Sequence, residues 1–260
     1  MKKAFFTLIS LLFILFFWYV VAFWVSLTKG ALFPTPHETF IRFFRLLTGA
    51  HLYHQSLQRH VISSLMRWTI GYGLAVVFGI LLGLWLGASG LSYDLFMPTV
   101  YLIQLIPGLA WIPIALLIFG LGNVSTIFMI FIIGITPIII NTSGGIRSIP
   151  DQYVKTAQMM GASGHFIFFK VMIPATTLSI VNGLRIGLAN AWRVLIAAEM
   201  IVGVGMGLGY IIIQSRWSLD FEAAFVSILI ICMIGLLIEK GLFTVLERNI
   251  MLKMGLSKES

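Results

Sequence analysis

A stretch of 52 consecutive residues, 95–146, contains no Asp, Glu, Lys, Arg or His. A helix needs about 20 apolar residues to cross the hydrocarbon core of a membrane. The stretch is therefore long enough for two spanning helices, and the sequence G-L-G-N at 120–123 marks the predicted break between them. A chain that must bury such a segment in lipid cannot fold as a water-soluble domain.

The overall composition excludes several other classes of protein. Hydrophobic residues make up 59% of the 260 residues and charged residues 10%, whereas soluble domains average about 45–50% and about 25%. A soluble enzyme and a disordered chain are both excluded. The single cysteine, Cys232, excludes a disulfide framework and a cysteine-based metal cluster. The net charge of +8 comes from scattered Lys and Arg, which favours contact with lipid headgroups over nucleic acid binding.

Charge-poor segments along the chain predict an all-α integral membrane protein with six transmembrane helices. They cover residues 4–27, 68–93, the two halves of 95–146, 178–202 and 223–243. The first segment is too long for the apolar region of a cleaved signal peptide. We therefore expect it to remain as the first spanning helix.

The basic residues between the spans set the expected orientation. With the N-terminus inside, nine Lys and Arg lie in cytoplasmic segments and six lie outside, which is the bias of the positive-inside rule. Both termini are therefore expected in the cytoplasm. We divide the chain into an N-terminal helix at 1–30, an extracytoplasmic segment at 31–62, a transmembrane domain at 63–245 and a cytoplasmic tail at 246–260.

The extracytoplasmic segment contains a helix start signal. Thr35, Pro36 and Glu38 predict a capping box with proline at the first helical position. Phenylalanines follow on one face, which is typical of a helix that lies in the membrane interface. Four of the five histidines fall here, at positions 37, 51, 54 and 60. Their spacing matches no common ligand pattern, so we expect no metal site.

The cytoplasmic loop at 147–177 has more local order than a simple connection needs. Tyr153, Ala157 and Met160 lie on one face of a predicted short helix, at i, i+4 and i+7. Gly161 is expected to end this helix, because glycine adopts left-handed backbone angles at little cost.

A second short helix is predicted at 164–170, with Ala162 before it and Ser163 as its cap, and Pro174 marks the expected start of the next span. The resulting helix–glycine–helix elbow suits insertion into a groove on a partner protein. A surface loop that packs on its own protein explains the pattern equally well.

The elbow carries a family resemblance. The sequence K-T-A-Q-M-M-G at 155–161 is followed after nine residues by V-M-I-P at 171–174. This resembles the "EAA" loop of permeases in binding-protein-dependent ABC importers, E-A-A-x3-G-x9-I-x-L-P. The glycine, the second alanine and the proline are in register. Lys155 and Thr156 replace the glutamate and first alanine of the motif, so no role is transferred to Lys155.

Further segments resemble the branch of that family that handles nitrate, sulfonates, taurine and related small molecules, including vitamin precursors. These segments are P-G-L-A-W-I-P at 107–113, F-G-L-G at 119–122, G-A-S at 161–163, G-L-R at 183–185, A-A-E-M at 197–200 and G-L-G-Y at 207–210. The resemblance covers about residues 34–250.

The resemblance implies a type I ABC importer permease fold in the plasma (inner) membrane of a prokaryote. It implies three kinds of partner: cytoplasmic ATP-binding subunits, an extracytoplasmic substrate-binding protein and a second permease, which is identical in the favoured homodimer and different in a heterodimer. The loop at 147–177 would then be the coupling loop, with Tyr153, Ala157 and 160–163 contacting the ATPase. The chain has no Walker A sequence, so we expect it to be no enzyme and to bind no cofactor.

Charged residues inside the span at 178–202 are candidates for the translocation pathway. A charge in a span costs about 2.5–3.5 kcal/mol on insertion scales, so it usually faces a cavity or a partner. Arg193 and Glu199 are six residues apart, about 600° around a helix, and are not expected to pair with each other. Both are predicted to serve the pathway or a gate. A structural tie between helices is the alternative, and it is favoured for Glu199.

Gln104 and Trp111 complete the set of pathway or gate candidates. They lie on the predicted third span, where Pro107 and Pro113 interrupt backbone hydrogen bonds. A helix that is merely kinked explains these prolines equally well, and Trp111 is suited to ordinary packing.

Two other classes of function remain as alternatives. A secondary carrier or channel for a small anion would also span the membrane several times, although the two halves show no clear internal repeat. An integral membrane enzyme would need clustered acids, histidines or a nucleophile, and the sequence contains no such cluster.

Overall fold

The computed structural model describes residues 2–30, 33–245, 250 and 252, and most of these are helical. The predicted tail at 246–260 lies outside the described residues, apart from positions 250 and 252. The chain divides into two compact units. The first combines residues 1–63 with 205–232, and the second combines 64–204 with 233–260.

The first unit begins with two helices, α1 (Lys2–Lys29) and α2 (Pro36–Leu47). The predicted capping box is present at the start of α2. The Thr35 N–H donates to Glu38 Oε2 at 2.8 Å, and the Glu38 N–H donates to Thr35 Oγ1 at 3.4 Å. Each bond pairs a backbone N–H that the end of a helix would otherwise leave without a partner.

A short hairpin follows α2, which the all-helical prediction did not include. Its strands β1 (His51–Leu52) and β2 (Gln55–Ser56) pair antiparallel. Tyr53 and His54 form the two-residue loop with φ values of 47° and 70°, as a type I′ turn requires. The sequence did not suggest this turn, because Asn-Gly or Asp-Gly usually supplies it.

The remaining helices of the first unit are α10 (Leu208–Ser218) and the first part of α11 (Phe221–Ile238). Helix α3 (Leu57–Ala88) also starts in this unit. The buried His60 on α3 bonds to the Leu52 carbonyl oxygen through Nε2 at 3.1 Å, and its Nδ1 accepts the Gly207 N–H at 3.0 Å. This histidine therefore has a structural role between the hairpin and the loop before α10.

The second unit contains the larger set of helices. After α3 these are α4 (Gly90–Leu105), a 3₁₀ turn (Gly108–Trp111), α5 (Ile112–Phe119), α6 (Asn123–Arg147), α7 (Asp151–Met159), α8 (Gly164–Ile167), a π turn (Phe168–Met172), α9 (Ile173–Ile201) and a second π turn (Glu239–Phe243). The predicted break at 120–123 is confirmed by the gap between α5 and α6.

Small residues allow three long helices of this unit to pack closely. A Cβ atom added at Gly83 of α3 would lie 2.6 Å from Thr142 Cβ of α6, and one at Gly187 of α9 would lie 2.8 Å from the Gly134 carbonyl oxygen of α6. In lipid, helices associate largely through such van der Waals contact between small residues. Helix α6 therefore lies in the core of the unit, between α3 and α9.

Within the described residues, five helices are long and apolar enough to cross a membrane, and a bent pair makes a sixth candidate. The pair is α4 with the segment Gly108–Phe119, bent by 102°. The merely kinked helix, one of our two explanations of Pro107 and Pro113, is therefore wrong. Pro107 lacks an N–H and restricts Ile106, whose ψ of 120° is extended rather than helical.

The predicted end of the second span was wrong. This span ends at Ala88 rather than at 93, because Ser89 caps α4 by accepting the Ser92 N–H. Pro174 lies in the first turn of α9, as predicted, but α9 continues the preceding helix, which runs without a break from Gly164 to Ile201. The wide π turn lies directly before this proline, where a regular α-helix would need an N–H that proline lacks.

Candidate functional site

The elbow between α7 and α8 is a defined turn. Gly161 has a φ of +82°, the left-handed angle that glycine adopts most easily. The Gly161 N–H donates to the Gln158 carbonyl at 2.9 Å, and the Ala162 N–H donates to the Ala157 carbonyl at 3.0 Å. These two bonds are the Schellman pattern that ends a helix. Ser163 then caps α8 by accepting the Phe166 N–H at 3.3 Å.

The elbow presents apolar side chains to its surroundings. Met159 and Met160 are 81% and 82% exposed, and Tyr153 is 63% exposed. An open hollow of about 620 Å³ lies on the inside of the turn. Its lining includes five of the six predicted coupling residues: Ala157, Met160, Gly161, Ala162 and Ser163. Met159 was missed by the sequence reasoning, although it belongs to the same exposed surface.

The lysine that replaces the motif glutamate lies on the exposed side of α7. Lys155 Nζ lies 3.7 Å from Asp151 Oδ2, and the two side chains are 71% and 85% exposed. Water screens an ion pair at that exposure, so it adds little stability. Lys155 therefore remains available to a partner protein.

A second feature is a cavity of about 370 Å³ at the break between α4 and the 3₁₀ turn. Gln104 and Arg193, two of the four predicted pathway residues, both line it, together with Thr136 and Asn190. Gly108 lets the broken segment approach α9, since a Cβ there would lie 2.8 Å from Val194 Cγ2. The cavity thus combines polar groups from α4, α6 and α9.

Arg193 is oriented by its own helix. Its Nε donates to the Ala189 carbonyl at 3.1 Å, and its Nη2 donates to Asn190 Oδ1 at 2.6 Å. As expected, it does not pair with Glu199. The side chain is exposed, and no carboxylate of the described residues lies within 4.0 Å of it.

The other two pathway candidates lie elsewhere. Trp111 packs against Phe128, with ring centroids 6.3 Å apart, and Glu199 belongs to a buried polar cluster. Neither is among the residues that line the cavity. The structure therefore brings together two of the four predicted residues and separates the other two.

The buried cluster joins three helices through Glu199. Arg67 Nη1 of α3 lies 2.6 Å from Glu199 Oε1, and the Ser64 hydroxyl lies within 2.9 Å of both carboxylate oxygens. Arg67 Nε donates to Asn123 Oδ1, at the start of α6, at 2.7 Å. Glu199 is 1% exposed and Arg67 is 5% exposed, so each charge depends on the other for compensation.

Sequence reasoning missed Arg67 as the partner of Glu199. It had counted Arg67 with the basic residues that set orientation, and the two residues are 132 positions apart. The only signal was that an acid inside a span needs a base nearby. Arg185, a second basic residue of α9, forms an ion pair with Glu239 at 2.8 Å.

The described residues offer no candidate metal centre. Among the described residues, no group of three or more His, Cys, Asp or Glu side chains is placed to hold a metal ion.

Comparison with known proteins supports a transport role. The family described as "Binding-protein-dependent transport system inner membrane component" matches residues 75–251. The nitrate import permease NrtB of Synechocystis is 32% identical over 82% of this chain and 78% of its own length. The bicarbonate transport system permease CmpB of the same organism is 33% identical over 70% of this chain and 65% of its own length. The taurine transport system permease TauC of Escherichia coli is 29% identical over 86% of this chain and 81% of its own length.

The fold also has a counterpart among solved structures. A chain of the inward-facing MetNI methionine ABC transporter superposes with a TM-score of 0.65 at 20% sequence identity, and the match covers 75% of this chain and 95% of that chain. This likeness concerns the fold alone. The family match covers more than half of the chain and confirms the resemblance seen in its motifs. This chain belongs to the family of inner membrane components of binding-protein-dependent transport systems, as a permease subunit of an ABC importer.

Proposed function

We propose that this permease takes in a small solute delivered by an extracytoplasmic binding protein, driven by ATPase subunits that dock on the elbow. Permeases of this family work with ATP-binding subunits and a substrate-binding protein. ATP hydrolysis resides in those separate subunits, and the permease subunit itself is not catalytic.

The exposed methionines of the elbow carry this proposal. A loop that packed on its own protein would bury its apolar side chains, whereas Met159 and Met160 are more than four-fifths exposed. Methionine side chains are flexible and polarizable, and they adapt well to a partner's groove. The Schellman turn at Gly161 holds them in one defined arrangement. We therefore favour a docking surface over an ordinary loop.

The continuous helix behind the elbow explains how docking would act on the spans. Helix α8, the π turn and α9 form one helix from Gly164 to Ile201. A displacement of the elbow by the ATPase would therefore be carried along α9, which holds both Arg193 and Glu199. A rigid element with two positions is a common basis for switching between two states.

The remaining parts of the proposal concern the assembly. We place the chain in the plasma membrane, with both termini in the cytoplasm and a second identical copy beside it. We keep the division into an N-terminal helix at 1–30, an extracytoplasmic segment at 31–62, a transmembrane domain at 63–245 and a cytoplasmic tail at 246–260. Ala22 is the single buried residue of the segment Phe5–Thr28, whose mean hydropathy is 2.5. Its side chains are suited to contact with lipid.

The named relatives transport nitrate, bicarbonate and taurine. We propose a solute of this compact, polar type. Gln104 and Arg193 are assigned to the pathway because they line one cavity. Glu199 is assigned to a structural tie between helices. Trp111 is assigned to packing against Phe128.

Photo-crosslinking from the elbow tests the docking proposal. Cys232 is first replaced by serine, and Met159→Cys is then labelled with a thiol-linked photo-crosslinker in native membranes. The matched control is Trp217→Cys, at a position that is 73% exposed and expected on the opposite side of the membrane. Illumination should join Met159→Cys to an ATP-binding subunit, identified by mass spectrometry, and should leave Trp217→Cys without that product. Equal capture from both positions, or from neither, would contradict docking at the elbow.

A further inference from the structure

We infer that the cavity beside Arg193 is a binding site for a compact anion, so that the permease itself selects solutes by negative charge. The inference rests on the proposed function, since it assigns the solute class to the proposed pathway. It differs from selection by the binding protein, because it places a charge-recognising group within the membrane domain.

The charge distribution of the cavity supports this assignment. Arg193 is the single charged residue among those that line it, and the rest of the lining is neutral. No carboxylate of the described part of the chain lies within 4.0 Å of its guanidinium. A positive charge with no acid to neutralise it attracts anions and repels cations.

The donor groups of the cavity match an oxyanion. A guanidinium has five N–H donors, and within the described residues Arg193 uses two of them on Ala189 and Asn190. Because the Asn190 side-chain oxygen accepts one of these bonds, its amide N–H groups remain for other acceptors. Gln104 and the Thr136 hydroxyl supply further donors around the same space. Planar or tetrahedral oxygens bind well to donors arranged in this way.

The volume and lining of the cavity indicate which kind of solute fits it. Its volume is about 370 Å³, and Ile106, Ile133 and Val194 form apolar parts of the lining. The open cavity has room for a compact solute, and its polar groups offer contacts that its apolar walls do not. The site therefore suits an inorganic oxyanion or a small organic carboxylate or sulfonate.

The test uses the assembled transporter, with its ATPase and binding protein, reconstituted in liposomes. The probes are labelled nitrate, bicarbonate and taurine, supplied singly with internal ATP. We compare wild type with Arg193→Gln, Arg193→Lys and the matched control Arg45→Gln, which removes an exposed arginine on α2. ATPase activity without solute and co-purification of the subunits check that each variant assembles.

Loss of a charged hydrogen-bond donor should lower kcat/KM for the transported anion about tenfold or more. Arg193→Lys should recover a large part of the lost kcat/KM, because lysine keeps the positive charge. The control Arg45→Gln should have the kcat/KM of wild type. Unchanged kcat/KM in an assembled Arg193→Gln transporter would overturn the inference. So would equal loss in Arg193→Gln and Arg193→Lys, since that pattern indicates a shape requirement rather than a charge requirement.

A binding measurement keeps the inference separate from the proposed function. Crystals of the same complex are soaked in bromide, whose anomalous scattering locates bound anions directly. Bromide should occupy the cavity in wild type and be lost in Arg193→Gln. An empty cavity in wild type would overturn the anion site even if uptake were normal. Failure of ATP-driven uptake with bromide still bound would count against the proposed function instead.

Discussion

At the residue scale, the pair formed by Arg67 and Glu199 explains how two charges are accommodated inside a membrane domain. Their atoms approach to 2.6 Å, and Ser64 and Asn123 bind the remaining polar edges. A buried ion pair adds little to folding stability compared with a well-packed apolar pair. Loss of one partner, however, leaves a buried charge without compensation. The cluster therefore makes each residue dependent on the other.

A double-mutant comparison tests this dependence. Glu199→Leu alone should lower the free energy of unfolding by about 3–5 kcal/mol, because Arg67 stays buried and unpaired. The double variant Arg67→Leu with Glu199→Leu should be more stable than either single variant. Thermal unfolding in detergent measures all four proteins. Additive losses in the double variant would contradict the account.

A second residue-scale prediction concerns pH and the start of α2. The Thr35 N–H, followed by its hydroxyl, holds the pKa of Glu38 below its ordinary value of 4.5. A lowered pKa means that the ionised form stabilises the folded helix. This contribution is present above pH 4.5 and is lost as the pH falls through the lowered pKa.

Hydrogen exchange measures the effect directly. Amides at the start of α2 should exchange faster, relative to the intrinsic rate, when the pH is lowered below that value. Glu38→Gln should remove the pH dependence, since glutamine does not titrate. Protection that changes equally in wild type and Glu38→Gln would show that another group is responsible.

These residues also separate what the sequence could predict from what it could not. The capping box was predictable because Thr35 and Glu38 interact three positions apart, within one turn. The partner of Glu199 was not, because the choice among several arginines is made by the packing of α3 against α9. Arg193 was identified as a candidate by its charge inside a span, but the neutral cavity around it became evident only from the structure.

At the scale of elements, the elbow depends on Gly161. Its φ of +82° costs an ordinary L-residue about 1–2 kcal/mol. Nothing lies within 4 Å of an added Cβ, so the penalty for a substitution is conformational rather than steric.

Gly161→Ala should therefore weaken the association with ATPase subunits, while Gly161→Asn should be less harmful, since asparagine tolerates the left-handed region better. Gly144→Ala on α6 is the matched control, because that position is also open but lacks the positive φ. The yield of co-purified ATPase measures the effect. An Ala variant that equals the Gly144→Ala control would show that the turn at Gly161 does not position the docking surface.

The boundaries of the elements show where local signals failed. The end of α5 was predictable from the glycines at 120 and 122, both of which have positive φ. The π turn before Pro174 had no local signal, so the sequence did not predict that helix would continue unbroken across this position. The sharp bend after α4 was underestimated, because a proline in a span is compatible with a kink as well as with a break.

At the scale of the whole molecule, family membership follows from motifs spread along the chain and from a match over residues 75–251. The sequence predicted the helical membrane class from its charge-free segments alone. It could not identify the solute, because the residues that line the proposed site come from α4, α6 and α9 and only packing brings them together. From that lining we infer a preference for negative charge.

We propose that transport by this chain depends on ATP hydrolysed by partner subunits. The most direct measurement is uptake of labelled nitrate, bicarbonate or taurine into liposomes that hold the complete transporter. Each assay compares internal ATP with a non-hydrolysable analogue at the same concentration. The account predicts accumulation with ATP and none with the analogue. Equal uptake under both conditions would contradict it and would favour a secondary carrier or a channel.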